Sequence, residues 1–484
     1  MNIVIAASEV FPFCKTGGLA DVAGAIAQTF ARSGDNKVVL FVPRYRNTGA
    51  GAFSLKAVPG SFRIPVGDRV ETVTLSTVNW GGVKAYFVES PRYYDRDELY
   101  RTRAGDFADN DERFIFFSRA VLEALKFVDF KPDVIHCHDW QTGLIPAYLK
   151  TLYSIDAYFA LTASVMTLHN IAFQGFFPKE SLFKAGFSWR EFTPDKLEYY
   201  GGANFLKSGV VYADKLTTVS PTYAKEIKSD YFFGRGLEGL LNARSGDLTG
   251  ILNGIDTEVW DPEMDSYIPS GYDYTCFAKG KAAAKQQLQK TCGLKQDPSV
   301  PLIGIVSRLE HNKGTDMVLA AAQRLSGKAQ FCVLGVGEPQ FQDSFHDLAK
   351  ANPGQVSYCD KFNEALAHNI YAGSDLFLMP SRTEPCGLSQ MIAMRYGAVP
   401  VVTKTGGLAD TVIGYEQQEK ATGFTAPNTG LDGVLSALHS ALAVFQDKKR
   451  FARIIQNGMK GDYSWDQPGK AYLEIFRQVS ASKR

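Results

Sequence analysis

The heptapeptide Lys-Thr-Gly-Gly-Leu-Ala-Asp occurs twice, at residues 15–21 and again at residues 404–410. Each copy follows a β-rich apolar run (residues 3–7 and 398–402) and opens into a segment with a helical pattern. A strand, a Gly-Gly turn and a helix start make an anion cradle. Glycine lets the backbone approach closely, and the unpaired amides of the first helical turn point at bound oxygens. Two such cradles, each led by a lysine (Lys15 and Lys404), predict two α/β domains presenting like loops to one ligand. The alternative is an ordinary strand–turn–helix junction used twice, and identity at every position of the heptapeptide weighs against it.

At 484 residues the chain is too long for one core, so two or three domains are expected. With 45% hydrophobic and 21% charged residues, it has the balance of a soluble globular protein. Lys+Arg of 52 against Asp+Glu of 51 leaves a formal charge of +1. No general basic field attracts nucleic acid or an anionic membrane, so neither is expected as a partner. The first residues, MNIVIAASEV, read at once as a buried strand rather than a signal or transit peptide, and a cytoplasmic protein is expected. The cysteines, an odd 7, are scattered without a CxxC, which suits reduced core residues and gives no support to a zinc ribbon or thioredoxin-type site.

Short β-branched runs alternate with longer helical patterns. Strands are predicted at residues 2–7, 38–42, 83–88, 133–138, 165–169, 215–219 and 249–252. A second set falls at 302–307, 330–334, 356–358, 375–379 and 399–403. Near-continuous apolar strands separated by helices imply parallel sheets covered on both faces. Residues 51–79 alternate instead and read as a β-rich excursion from the first sheet. The turn-rich stretch 253–262 marks the joint between a domain of residues 1–252 and one of residues 253–463. An amphipathic helix at 464–484 is expected to pack back across both.

In open parallel sheets, ligands sit beyond the carboxyl ends of the strands, and several polar clusters fall there. HCHDWQTG at residues 136–143 places His136 and His138 on one strand face. Two histidines and an aspartate invite a metal, but hydrogen bonding within the core suits them better, and Asp139 with Trp140 fits a sugar: carboxylate for hydroxyls, indole for a sugar face. HNIAFQG puts His169 and Asn170 at the next strand end. SRLEHNKG offers Arg308 and Lys313, a fork and a point charge suited to a diphosphate. TEPCGLSQ supplies Glu384 as a single carboxylate, where a hydrolase would want two. Cys386 has no visible histidine partner to make it a nucleophile.

Together these strings resemble the bacterial and plant-type glycogen/starch synthases. The similarity runs through KTGGLADV, YYDRDELY, DNDERFIFFSRAVLE, HCHDWQTG, LHNIAFQG, YADKLTTVSPTYAKEI, GILNGIDTEVWDP, VSRLEHNKG, EPCGL, KTGGLADTV and YSWD. The resemblance implies a GT-B fold: α/β, with two Rossmann-like doubly wound domains facing each other across a deep cleft. It implies transfer of glucose from ADP-glucose to the non-reducing end of an α-1,4-glucan or malto-oligosaccharide, with retention and with neither metal nor cofactor. By the same resemblance Lys15, Gly17 and Gly18 meet the donor phosphates and sugar, and Asp21 supports their loop. Asp139, His169 and Asn170 face the transferred glucose, and Asn253 touches the sugar side. Arg308 and Lys313 hold the diphosphate, and Glu384 binds glucose hydroxyls. Cys386, Gly387 and Leu388 give backbone amides, Phe362 packs on adenine, and Thr405 and Gly406 complete the phosphate cradle.

Retention beside a single carboxylate implies same-face attack assisted by the leaving phosphate; a covalent glucosyl–Glu384 intermediate is less favoured. The chain departs from the family pattern at Thr403, Ser389, Gln141 and Thr383, none of them a residue on which the chemistry rests. Two other readings are open to the same residues: a retaining GT-B glucosyltransferase using UDP-glucose or another acceptor, and a catalytically silent glucan-binding relative. A helicase or dehydrogenase is disfavoured by the lack of GxxxxGK[ST] and of GxGxxG after the first strand.

Overall fold

A computed structural model of the chain describes residues 1–49, 52–102, 105–361 and 363–484. These residues form two units. The first comprises residues 1–219, 224–253 and 465–484, and the second residues 220–223 and 254–464.

In the first unit, β1 (Asn2–Ala6), β2 (Lys37–Pro43), β3 (Lys56–Val66), β4 (Arg69–Trp80) and β5 (Val83–Glu89) are followed by β6 (Val134–His138), β7 (Ala163–Leu168), β8 (Lys215–Thr218) and β9 (Leu248–Gly250). They build one sheet in the order β9-β8-β7-β6-β1-β2-β5-β4-β3. Pairs from β9 to β5 are parallel. The β5–β4 and β4–β3 pairs are antiparallel. The pattern of burial explains the split. All of β6 and β7 is buried, as strands covered on both faces must be, whereas β3 and β4 alternate and leave one face to solvent. This hairpin is the β-rich excursion expected from residues 51–79, and it turns at Gly67, whose φ of +61° suits glycine.

The helix Gly18–Arg32 lies against this sheet through Val22, Ile26 and Phe30. The last helix, Asp466–Ala481, joins the same core, where Tyr472 and Phe476 meet the Phe30 ring edge-on at 6.3 and 5.2 Å.

The second unit holds β10 (Leu302–Val306), β11 (Gln330–Leu334), β12 (Val356–Cys359), β13 (Leu376–Met379), β14 (Val399–Thr403) and β15 (Phe424–Ala426). Their order is β12-β11-β10-β13-β14-β15, all parallel. Sequence periodicity missed β15, a short run with no long apolar signal. In each sheet the connections turn to opposite sides at one place: between β1 and β6 in the first, between β10 and β13 in the second. The loops leaving those strands diverge there and open a crevice at the carboxyl ends.

Candidate active site

In the first unit the loop after β1 carries Glu9 and the first Lys-Thr-Gly-Gly. Glu9 is buried, and its Oε2 accepts the N–H groups of Thr16 at 2.6 Å and Gly17 at 3.0 Å. The Thr16 hydroxyl donates to the same oxygen at 3.0 Å, and the Tyr100 hydroxyl donates to Oε1 at 3.1 Å. Burial pushes the Glu9 carboxyl above its usual range, against the pull of these donors. This corrects the sequence-based expectation of open amides: the chain's own carboxylate holds the Gly17 N–H. An acid just past a buried strand falls at the helix N-terminus, where negative charge is favoured.

Lys15 reaches Asp21 at 2.7 Å and lies over the Phe11 ring at 5.5 Å. Asp21 thus contacts the lysine that leads its own loop. Around Gly17 and Gly18 no heavy atom stands within 4 Å of where a Cβ would sit, so space beside the loop is open.

Next to β1, β6 is followed at once by Asp139. Its backbone is left-handed, with φ +55°, a conformation that costs a non-glycine residue ~1–3 kcal/mol and concentrates at functional sites. Oδ1 accepts the His169 N–H at 2.7 Å, and the Asn170 amide also donates to this carboxylate. Burial raises the Asp139 carboxyl to about 7. Strand pairing thus joins Asp139, His169 and Asn170 in one turn-to-turn contact between the ends of β6 and β7. The His169 ring meets His138, Nε2 to Nδ1 at 2.8 Å. His136 Nε2 meets Thr167 Oγ1 at 2.6 Å, and Thr167 meets Thr217 at 2.6 Å. Burial holds His136 and His169 down to about 3 and His138 well below the usual range, so all three are neutral at pH 7. Asn253, just after β9, is buried with its Oδ1 lacking a hydrogen-bond partner among the described residues.

Trp140 is a second correction. Expected to cover a sugar, it is buried against Phe114 and Phe177 at 4.8 and 5.4 Å, and Gly175 lacks a Cβ where the indole passes. An apolar indole gains more from this packing than from an exposed position.

In the second unit, Lys313 follows β10 and Glu384 follows β13, the two loops of the switch point. Lys313 Nζ bridges both Glu384 oxygens at 2.8 and 2.7 Å, and Ser381 donates to Oε2 at 2.9 Å. Glu384 is buried, so the ion pair and the hydroxyl are what make its charge tolerable. Around them Thr383 Oγ1 donates to Asn312 Oδ1 at 2.5 Å, and Arg382 clamps Asp316 with two bonds of 2.8 Å. Arg308 is on the Lys313 loop, more than half exposed and paired with Glu310 at 2.7 Å. Phe362 lies outside the described residues.

The second Lys-Thr-Gly-Gly closes on this loop. Gly406 has φ +43°, and a Cβ there would stand 1.9 Å from the Glu384 carbonyl oxygen. The Gly407 N–H donates to that oxygen at 3.1 Å. Thr405 precedes the helix Gly406–Thr411, and Leu388 precedes the helix Ser389–Arg395. Gly387 is left-handed at φ +72°, and the buried Gln390 amide donates to the Cys386 and Gly387 carbonyls at 3.0 and 3.1 Å. Cys386 is buried. Glu384, Cys386, Gly387, Leu388, Thr405 and Gly406 therefore share one backbone nest with Lys313.

Reading the sequence missed Glu9, Tyr100 and Ser381. An acid two residues beyond the expected strand end was the available signal for Glu9; nothing local marked the other two.

The family model described as starch synthase catalytic domain matches residues 2–243, and that of glycosyl transferases group 1 matches residues 293–460. The chain is 53% identical to a glycogen synthase of Elusimicrobium minutum, with 99% of each chain covered. It is 45% identical to a glycogen synthase of Syntrophotalea carbinolica, again covering 99% of each. Among solved structures, the catalytic domain of starch synthase IV from Arabidopsis thaliana, bound to ADP and acarbose, superimposes with a TM-score of 0.92 at 32% identity, over 99% of both chains.

Proposed function

We infer the activity from one premise: this chain belongs to the glycogen and starch synthase family, two-domain GT-B glycosyltransferases that elongate glucan. We propose that the donor is ADP-glucose and the acceptor the non-reducing end of an α-1,4-glucan. ADP in the similar starch synthase structure supports the donor, and acarbose there supports a malto-oligosaccharide acceptor.

The observation that carries the chemistry is the Lys313–Glu384 pair set in the 384–388 and 405–407 nest. Breaking a glycosyl–phosphate bond develops negative charge on the diphosphate and positive charge on the sugar. Lys313 and Arg308, with the amides of the nest, stabilise the first; such donors are typically worth ~3 kcal/mol each. Glu384 sits where sugar hydroxyls are read and the second charge is balanced. In the first unit Lys15, with Asp21 behind it, and the open space at Gly17 and Gly18 serve the donor, while Asp139, His169, Asn170 and Asn253 orient glucose. A single carboxylate favours same-face attack by the acceptor hydroxyl, its proton passing to the leaving phosphate, over a covalent glucosyl–Glu384 intermediate. Positive side chains and amides account for the leaving-group charge, so the reading calls for no metal and no cofactor. It places the protein in the cytoplasm, where seven free cysteines stay reduced.

Incorporation of labelled glucose into glycogen tests the reading, with UDP-glucose and Glu384→Ala alongside. Strong ADP-glucose-dependent elongation, reduced ~100-fold or more in the variant, is expected. Preference for UDP-glucose would overturn the donor assignment. Full activity is expected to survive EDTA and dialysis; a rate that returned only with added divalent cation would refute the metal-free reading.

A further inference from the structure

His138 and Asp139 are neighbours in the chain, and both take hold of His169. Asp139 Oδ1 accepts the His169 backbone N–H at 2.7 Å, while His138 Nδ1 meets the His169 ring at Nε2, 2.8 Å away. The two rings lie 25° from parallel with centroids 5.1 Å apart. His138 has no exposed surface, whereas His169 keeps 9% and is the ring of the two that a ligand can reach. Behind His138 the His136 ring follows at 4.1 Å, closed in by Tyr472 and Phe476 of the last helix.

The partners of the ring nitrogens decide where the protons sit. A neutral imidazole carries one N–H and one bare nitrogen, and burial keeps these three rings neutral at pH 7. His138 Nε2 has no hydrogen-bond partner among the described residues, and neither has His136 Nδ1. A buried N–H without a partner is rare, because it has lost water and gained no acceptor, so in each ring the proton belongs on the other nitrogen. His136 then donates from Nε2 to Thr167 Oγ1 at 2.6 Å, and Thr167 can pass its own proton on to Thr217 Oγ1 at 2.6 Å. His138 donates from Nδ1 to His169 Nε2. The single proton of His169 therefore falls on Nδ1, the nitrogen not used in that contact.

We propose that His138 is a positioning residue that fixes His169 in the Nδ1–H tautomer, so that His169 offers a hydrogen-bond donor to a hydroxyl oxygen of the transferred glucose. The assignment rests on the reading of His169 as a glucose contact in a glucan-elongating enzyme. It carries a chemical consequence. With Nε2 filled by His138, His169 has no bare nitrogen with which to take a proton from the acceptor hydroxyl. That proton is left to the oxygen of the departing diphosphate, as same-face attack requires.

Protein labelled with 15N in its histidines, 7 in all, reads the tautomer directly, because protonated and bare ring nitrogens differ widely in 15N shift. His169→Ala identifies the signals of that ring. His138→Asn and His138→Leu are then compared with the wild type: the Asn amide can donate from the place of Nδ1, and Leu fills the space without a donor. The expected result is an Nδ1-protonated His169 in the wild type and in His138→Asn, with mixed tautomers in His138→Leu. Turnover on glycogen is expected to follow, kcat falling at least ~10-fold in His138→Leu and staying within about threefold of wild type in His138→Asn. A wild-type His169 protonated at Nε2 would overturn the proposal, as would equal kcat in the two variants, which would mark His138 as packing alone. Should His138→Leu fail to fold, the wild-type spectrum decides the tautomer and His138→Asn the rescue. If the wild-type protein elongated no glucan, the elongation reading would fail, while the 15N spectrum would still report how His138 holds His169.

Discussion

Identical residues play unequal parts in the two Lys-Thr-Gly-Gly loops. At Gly18 a Cβ meets nothing within 4 Å, whereas at Gly406 it would stand 1.9 Å from the Glu384 carbonyl oxygen with φ at +43°. Gly18→Ala is therefore expected to leave stability within ~0.5 kcal/mol. Gly406→Ala is expected to cost ~2 kcal/mol or more and to abolish turnover by displacing Glu384. Thermal unfolding and kcat, measured on both variants, check this contrast; equal Tm losses would refute it. Glu9 makes a similar case. Its carboxylate holds Thr16 and Gly17, so Glu9→Ala is expected to free the loop and raise KM for the donor severalfold, with Glu9→Gln restoring part of the effect. An unchanged donor KM in Glu9→Ala would show that the loop needs no such anchor.

At the scale of elements, the paired ends of β6 and β7 collect His136, His138 and His169 in neutral form. A histidine with its folded-state value depressed from 6.5 to about 3 contributes stability that is present above 6.5. That stability is lost as pH falls, because the unfolded chain takes up protons that the folded chain refuses. Asp139, raised from 3.8 to about 7, acts with the opposite sign: its contribution is present below 3.8 and lost as pH rises through 7. Between pH 6.5 and 4 the histidines outnumber the aspartate, so stability is expected to fall with acidity. Each histidine adds a slope of ~1.4 kcal/mol per pH unit to that fall. Urea unfolding from pH 7 to 4.5 checks the direction, and His136→Leu is expected to shallow the slope. A flat profile would mean that the imidazoles take up protons in place.

At the scale of the whole molecule, the chain returns at its end to the unit where it began. Tyr472, Leu473, Phe476 and Val479 of the last helix are buried in the core built by β1, β2 and the helix Gly18–Arg32. At ~1.5–3 kcal/mol for each side chain, their removal would cost roughly 6–12 kcal/mol, comparable with the total stability of a typical domain, ~5–15 kcal/mol. A chain ending at residue 464 is therefore expected to be insoluble or to lack a cooperative unfolding transition by circular dichroism. A soluble truncated chain with the original Tm would show the helix to be peripheral.

Much of this was legible in the linear sequence. Continuous apolar runs marked twelve strands, because a strand covered on both faces cannot alternate. The strings at their carboxyl ends, around Asp139, His169, Lys313 and Glu384, marked polar clusters that the fold does gather, because parallel strands deliver their loops to one edge of the sheet. The hairpin of β3 and β4 showed itself by alternation, because one of its faces meets water. What the sequence could not decide was pairing through space. Lys313 and Glu384 are 71 residues apart, and they meet only because β13 lies beside β10 while β11 and β12 run to the other side. Trp140 turns into the core beside Phe114 and Phe177 for the same reason. Local spacing fixes which face of a strand a residue occupies, whereas strand order and helix packing decide what that residue meets. Those depend on burial of the whole sheet, a free energy that belongs to no single segment.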